Sequence, residues 1–223
     1  MSKCTIIDAT LPIYNKMWKY RDGWDNEVSV LMSTRNNEPS TVYRFNLCSH
    51  TGTYIETSQH KLNNSILLSD FALTDFYRKT LVVKIEGKQH ANSKITKQDV
   101  LIELSKKNID SKLYDSLIIA CGWGVNRNNE NYIKDSPYFT KDLTDWIIEQ
   151  NFMLLATDTP MIDDFYDKYF PVEKMFAANE KLLVVAPLLL NLNEIETGEY
   201  LFSCLPLRIK DTSAAHCRAV LIK

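Results

Sequence analysis

Along the first half of the chain the apolar positions come in short runs of strand length. Val28 to Met32, Thr41 to Leu47 and Leu81 to Ile85 are three such runs. The middle one alternates β-branched or aromatic residues with polar ones, which predicts a half-buried strand that delivers the chain to His50. The second half has a different rhythm. Thr96-Lys97-Gln98-Asp99 reads as a capping box, and Val100, Leu101 and Leu104 mark the apolar stripe of a short helix. Leu117 to Cys121 is a continuous apolar run stopped by Gly122-Trp123-Gly124, the pattern of a buried strand, and Asn126 to Asn131 is a polar loop. Thr140 is placed to cap a helix through Leu143, Trp146, Ile147 and Ile148, and Phe152 to Thr157, Leu182 to Leu189 and Glu199 to Leu205 complete the strands. Hairpins followed by helix–strand alternation predict an α/β class with a mixed sheet. No repeat, low-complexity tract or long linker divides residues 1–223, which read as a single domain.

Composition narrows the function classes. At 223 residues, 45% apolar and 24% charged, the chain has the balance of a soluble globular protein with a substantial core. A net charge of −2 supplies no basic field, so neither nucleic acid nor membrane is expected as a partner. The most apolar stretch, Leu182 to Leu190, contains Pro187 and is far too short to span a bilayer. Met1 to Asp8 lacks the hydrophobic region of a signal peptide. Cys4, Cys48, Cys121, Cys204 and Cys217 are scattered without a C-x-x-C pair, which suits a reducing compartment, so a cytoplasmic location is expected. There is no Gly-rich phosphate loop, dinucleotide fingerprint or G-x-S-x-G elbow.

Candidate chemistry is concentrated in His50-Thr51-Gly52-Thr53-Tyr54-Ile55-Glu56-Thr57-Ser58-Gln59-His60. Two imidazoles, a carboxylate and a phenol lie around a tight Thr-Gly-Thr, a set able to converge nitrogen and oxygen atoms on a metal or on a substrate proton. The segment resembles the signature His-x-Gly-Thr-His-x-Asp-x-Pro-x-His of the cyclase family, which includes kynurenine formamidases and isatin hydrolases. Tyr54, Glu56 and Ser58 stand at its second His, its Asp and its Pro. Further matches follow in the family's order: Ile7 to Ile13, Cys121-Gly122-Trp123, Thr157 to Asp163, Asn191-Leu192-Asn193, Leu205 to Ile209 and Arg218-Ala219-Val220. The resemblance implies the family's swivelling β/β/α fold, a small-molecule substrate, and a homodimer or homotetramer.

It also implies a metal centre whose ligand set this chain does not reproduce. Counting back from Asn191 puts Pro187 at a family Glu and Met175 at a family His, and neither offers zinc or manganese a useful ligand. Tyr54 in place of imidazole is a poor ligand at neutral pH. No metal and no other cofactor is therefore expected. The leading expectation is metal-independent acid–base catalysis, such as dehydration, cyclisation or isomerisation of a small carbonyl compound in a specialised pathway. His60 and Glu56 would move protons and Tyr54 would polarise the carbonyl, with His50, Trp18 and Trp24 binding substrate. The alternatives are an inactive binding or scaffold homologue, and an amide or lactam hydrolase with one metal on His50, Glu56 and His60. His90 and His216 read as surface or loop residues, and Asp158 and Asp163 as turn formers.

Overall fold

The computed structural model describes residues 4–223; Met1, Ser2 and Lys3, the start of the segment read for a leader, lie outside the described residues. In chain order the strands are β1 (Ile6–Asp8), β2 (Glu27–Met32), β3 (Val42–Asn46), β4 (Tyr54–Glu56), β5 (Tyr77–Lys84), β6 (Lys94–Ile95), β7 (Ser116–Ala120), β8 (Tyr138–Phe139), β9 (Leu154–Thr157), β10 (Leu183–Ala186), β11 (Gly198–Ser203), β12 (Ala214–His216) and β13 (Val220–Ile222). The helices are α1 (Lys97–Lys107), α2 (Lys141–Gln150) and α3 (Pro171–Ala178). The class is α/β, with one mixed nine-stranded sheet in the order β1, β13, β11, β5, β7, β9, β10, β4, β12. Its centre, β5 to β10 through β7 and β9, is parallel, and antiparallel strands extend it on both sides.

The central strands are continuous apolar runs because both faces of the sheet are covered. Leu81, Val83, Leu117, Ile119, Leu155 and Val184 join the core packed under α1, α2 and α3, while Val82, Ile118, Leu154, Ala156 and Val185 face a second core on the other side. Burying each such side chain contributes about 1.5–3 kcal/mol. Thr96 caps α1, its hydroxyl accepting from Asp99 N while Asp99 reaches back to Thr96 N. Thr140 precedes α2 as expected, but its hydroxyl donates to Ile95 O at 3.1 Å instead of capping.

The strand expected at residues 41–47 exists as β3, but it is exposed throughout and pairs only with β2. The alternation there marks the face of a projecting hairpin, not a half-buried strand. The chain reaches His50 through the loop after this hairpin and enters the large sheet only at Tyr54. No helix among the described residues is long and apolar enough to cross a membrane.

Candidate active site

The loop that carries the motif is held by backbone fit before any chemistry is considered. Gly52 adopts φ +65°, and a Cβ there would lie 2.7 Å from Ile13 Cγ1 and 3.3 Å from Leu11 O, so only glycine fits against the N-terminal segment. Thr53 Oγ1 accepts from Leu11 N at 2.8 Å and donates to Pro187 O at 2.6 Å, fastening the loop to two distant segments. β4 then inserts between β10 and β12 with Tyr54 opposite Ala186 and Glu56 opposite Val184. Because strand side chains alternate, Ile55 enters the core that holds Val185, and Tyr54 and Glu56 point to the face of Val184. A one-turn 3₁₀ helix, Ser58–His60, brings His60 back over Glu56.

His50, Glu56 and His60 converge. Glu56 Oε2 is 3.3 Å from His50 Nε2 and 3.7 Å from His60 Nε2, and the donor atoms of all three lie within 4.8 Å of one another. The His50 contact lacks hydrogen-bond geometry, so its Nε2 is a buried polar atom without a hydrogen-bond partner. The other ring nitrogen, Nδ1, sits 2.9 Å from Ser49 Oγ; with its proton placed there, Nε2 carries a free lone pair toward Glu56. Two imidazole nitrogens and a carboxylate oxygen at this spacing suit one divalent ion with an open position. Burial lowers the His60 pKa against the opposing pull of Glu56, which keeps the ring neutral, as a ligand or a base must be.

Tyr54 is buried beside this set, its ring centroid 4.6 Å from that of His50. Its hydroxyl is 3.1 Å from that of Tyr20, which also bonds the carbonyl of Pro160. A carbonyl can only accept, so Tyr20 donates to Pro160 and Tyr54 donates to Tyr20. Burial raises the pKa of both phenols. Tyr54 is therefore a neutral donor already paired, and the carbonyl-polarising role expected for it requires that pairing to open.

These groups line a cavity of about 500 Å³. Trp24 lies in its wall, ring centroid 6.0 Å from His50. Trp18, expected as a second substrate-binding aromatic, does not line it: the indole packs edge-on behind Tyr20 at 5.2 Å and against Tyr132 at 5.4 Å. α3 and β10 present Val172, Val184 and Ala186 to the cavity; Met175 packs instead between α3 and α2, and Pro187 lies just past the end of β10, outside the lining. Asp163, read as a turn former, is 8% exposed, accepts from Val172 N at 3.2 Å and lines the cavity, and burial raises its pKa. Asp158 does close the β7–β9 junction, accepting from Cys121 N and Gly122 N at 3.0 and 2.6 Å. His216, read as a surface residue, is half-buried in β12, with Nε2 3.0 Å from Cys48 O. Arg21, Lys61 and Asp163 were given no site role by the sequence; only Asp163, inside a family-matched segment, carried a signal.

The family described as "Putative cyclase" matches residues 7–164. The chain is 23% identical over 199 residues to a kynurenine formamidase from Erythrobacter litoralis, covering 88% of this chain and 85% of that protein. It is 22% identical over 219 residues to cyclase-like protein 3 of Arabidopsis thaliana, covering 93% and 74% of the two chains. Its fold superposes on isatin hydrolase A from Ralstonia solanacearum with a TM-score of 0.82 at 13% identity, over 98% of this chain and 92% of the other.

Proposed function

We propose, from the premise that this chain belongs to the putative cyclase family, that it is a hydrolase-like enzyme with one divalent metal, acting on a small amide or lactam with a flat apolar body. The observation that carries the reading is the convergence of His50 Nε2, Glu56 Oε2 and His60 Nε2, with the His50 nitrogen buried and lacking a hydrogen-bond partner. These three residues would hold the ion. A metal so bound supplies a Lewis acid for a carbonyl oxygen and lowers the pKa of a coordinated water.

The protein's own residues do the rest. Trp24, Phe165 and Phe170 wall the cavity and hold a planar substrate, and Ile162, Val172, Val184 and Ala186 keep its inner end apolar. Asp163 is the cavity carboxyl outside the donor set; burial raises its pKa, which favours a protonated acid able to donate to the substrate. Tyr20 and Tyr54 orient each other and fix the wall formed by Pro160.

A second reading, metal-free acid–base chemistry by His60 and Glu56, is supported by the neutral His60 ring and its 3.7 Å approach to Glu56. The deciding experiment is metal analysis of protein reconstituted with zinc or manganese, alongside turnover of isatin and of aryl formamides. About one equivalent of metal, lost in His50→Ala and Glu56→Gln with activity, upholds the hydrolase reading. Turnover without metal that disappears in His60→Ala transfers the case to the second. Neither metal nor turnover leaves a binding protein.

A further inference from the structure

The cavity is lined by charges of both signs. The carboxyls of Glu56 and Asp163 are buried in it, while Arg21 and Lys61 stand exposed in its lining. Arg21 lies over the Trp24 ring, 5.5 Å from guanidinium carbon to centroid. Lys61 directly follows His60, and neither cation forms an ion pair with a carboxylate among the described residues. Beyond Tyr20, Arg21, Ile133 and Phe165, which belong to both spaces, the cavity continues into an outer groove of about 850 Å³. That groove carries Lys16, Lys19, Arg21, Arg127 and Lys134 against Asp22 and Glu130. Lys19 is tied to Asp25 at 2.8 Å and reaches Asp22 at 3.7 Å, so the excess rests on the other four cations. A chain of net charge −2 has here inverted its sign locally.

We propose that the substrate carries an anionic group, a carboxylate or a phosphate monoester, at the end remote from its reacting carbonyl, and that Arg21 is the specificity-determining residue that receives it. The aromatic wall takes the body of the molecule and leaves its reacting end beside His50, Glu56 and His60. The other end meets the guanidinium of Arg21, whose planar fork pairs with either oxyanion, with Arg127 and Lys134 adding to the field. Tyr14, whose hydroxyl donates to Asn128 Oδ1 at 2.8 Å, joins the two walls of the groove. The inference rests on the reading of the cavity as a substrate site.

The test is binding to the full chain in chelator, followed by tryptophan fluorescence and calorimetry, with phenylbutyrate, phenethyl phosphate and the neutral phenylbutyramide as probes. At low salt at least one anion is expected to bind about tenfold more tightly than the amide, with the preference shrinking in roughly 0.5 M sodium chloride. Arg21→Gln should lower affinity for that anion about fivefold or more and leave the amide unchanged, while Arg21→Lys keeps most of the preference. The tighter anion identifies the group recognised. Equal binding of acid and amide, or a preference that survives Arg21→Gln intact, overturns the proposal. Metal uptake is read separately. Protein that takes up no metal yet prefers the anions keeps this inference and loses the hydrolase reading; a metal-binding protein indifferent to charge does the reverse.

Discussion

The hydroxyl of Tyr54 gives its proton to Tyr20, 3.1 Å away, because Tyr20 has already given its own to the carbonyl of Pro160. Tyr54→Phe removes one hydrogen bond and leaves Tyr20 paired, so the expected cost is about 1 kcal/mol in denaturant unfolding. Tyr54→His is the more informative change. It would place an imidazole next to His50, where the family signature has one, and should tighten zinc binding by about tenfold or more in calorimetric titration. Weaker binding in that variant would show that the cavity cannot admit a fourth ligand.

Metal should also stabilise the fold. Zinc at a hundred times its dissociation constant adds about 2.7 kcal/mol to a protein that binds it only when folded. A rise in Tm is expected for the natural chain and none for Glu56→Gln, since Glu56 contacts both imidazoles. Differential scanning calorimetry with and without zinc reads this directly; equal shifts in both proteins would place the ion elsewhere.

Stability should respond to pH through buried groups of opposite sign, of which Asp158 and His60 are examples. Burial raises the Asp158 pKa from 3.8 to about 6, against the pull of the N–H groups of Cys121 and Gly122. The folded state therefore favours the protonated acid. Its contribution is full below the unfolded value and is lost as pH rises through about 6, amounting to about 3 kcal/mol over that window. His60, whose pKa burial lowers from 6.5, contributes fully above 6.5 and loses its share as pH falls through the folded value. Asp158→Asn removes the first term. Its stability should climb more steeply between about pH 4 and 6 than that of the natural chain, though from a lower level, because one amide oxygen replaces two acceptors. Urea unfolding across this range checks it, and parallel curves would contradict it.

The hairpin of β2 and β3 leaves Val30, Tyr43 and Phe45 at 56%, 52% and 66% exposure. An isolated two-stranded hairpin is marginal in water. Self-association through this face is the expected remedy, in keeping with the oligomer implied by the family resemblance. Sedimentation should show an oligomer for the natural chain and a monomer for Val30→Asp/Phe45→Asp. A natural chain that sediments as a monomer would end the idea.

How much of this was legible in the sequence depends on whether a residue's role is local. Leu117 to Cys121 and Phe152 to Thr157 announced themselves because a strand buried on both faces has nowhere to put polar residues. Thr96 announced α1 because capping is a matter of a few neighbouring atoms. α3 was not read, although Pro171 at its first turn was a usable signal. β3 was misread because alternation reports a two-faced strand without saying that anything covers either face. At the site, His50, Tyr54, Glu56 and His60 were found together because they are close in sequence, and Trp24 stands in the same cavity. Trp18 lines only the outer groove, since aromatic character does not say which side of a loop the ring lies on. The Tyr20 bond to Pro160 spans 140 residues and could not be seen from either end.

β4 and the loop before it divide their duties between alternate positions. Thr53, Ile55 and Thr57 bind the segment to the rest of the protein: Thr53 to Leu11 and Pro187, Ile55 to the second core, Thr57 to Ile66 and Ser213. Tyr54 and Glu56 face the cavity and carry the reactive groups. Mutation at the second set can rewrite the chemistry without touching the first. A lineage could thus exchange an imidazole for a phenol at position 54 and still inherit an intact architecture, which leaves an old framework free to acquire new reactions.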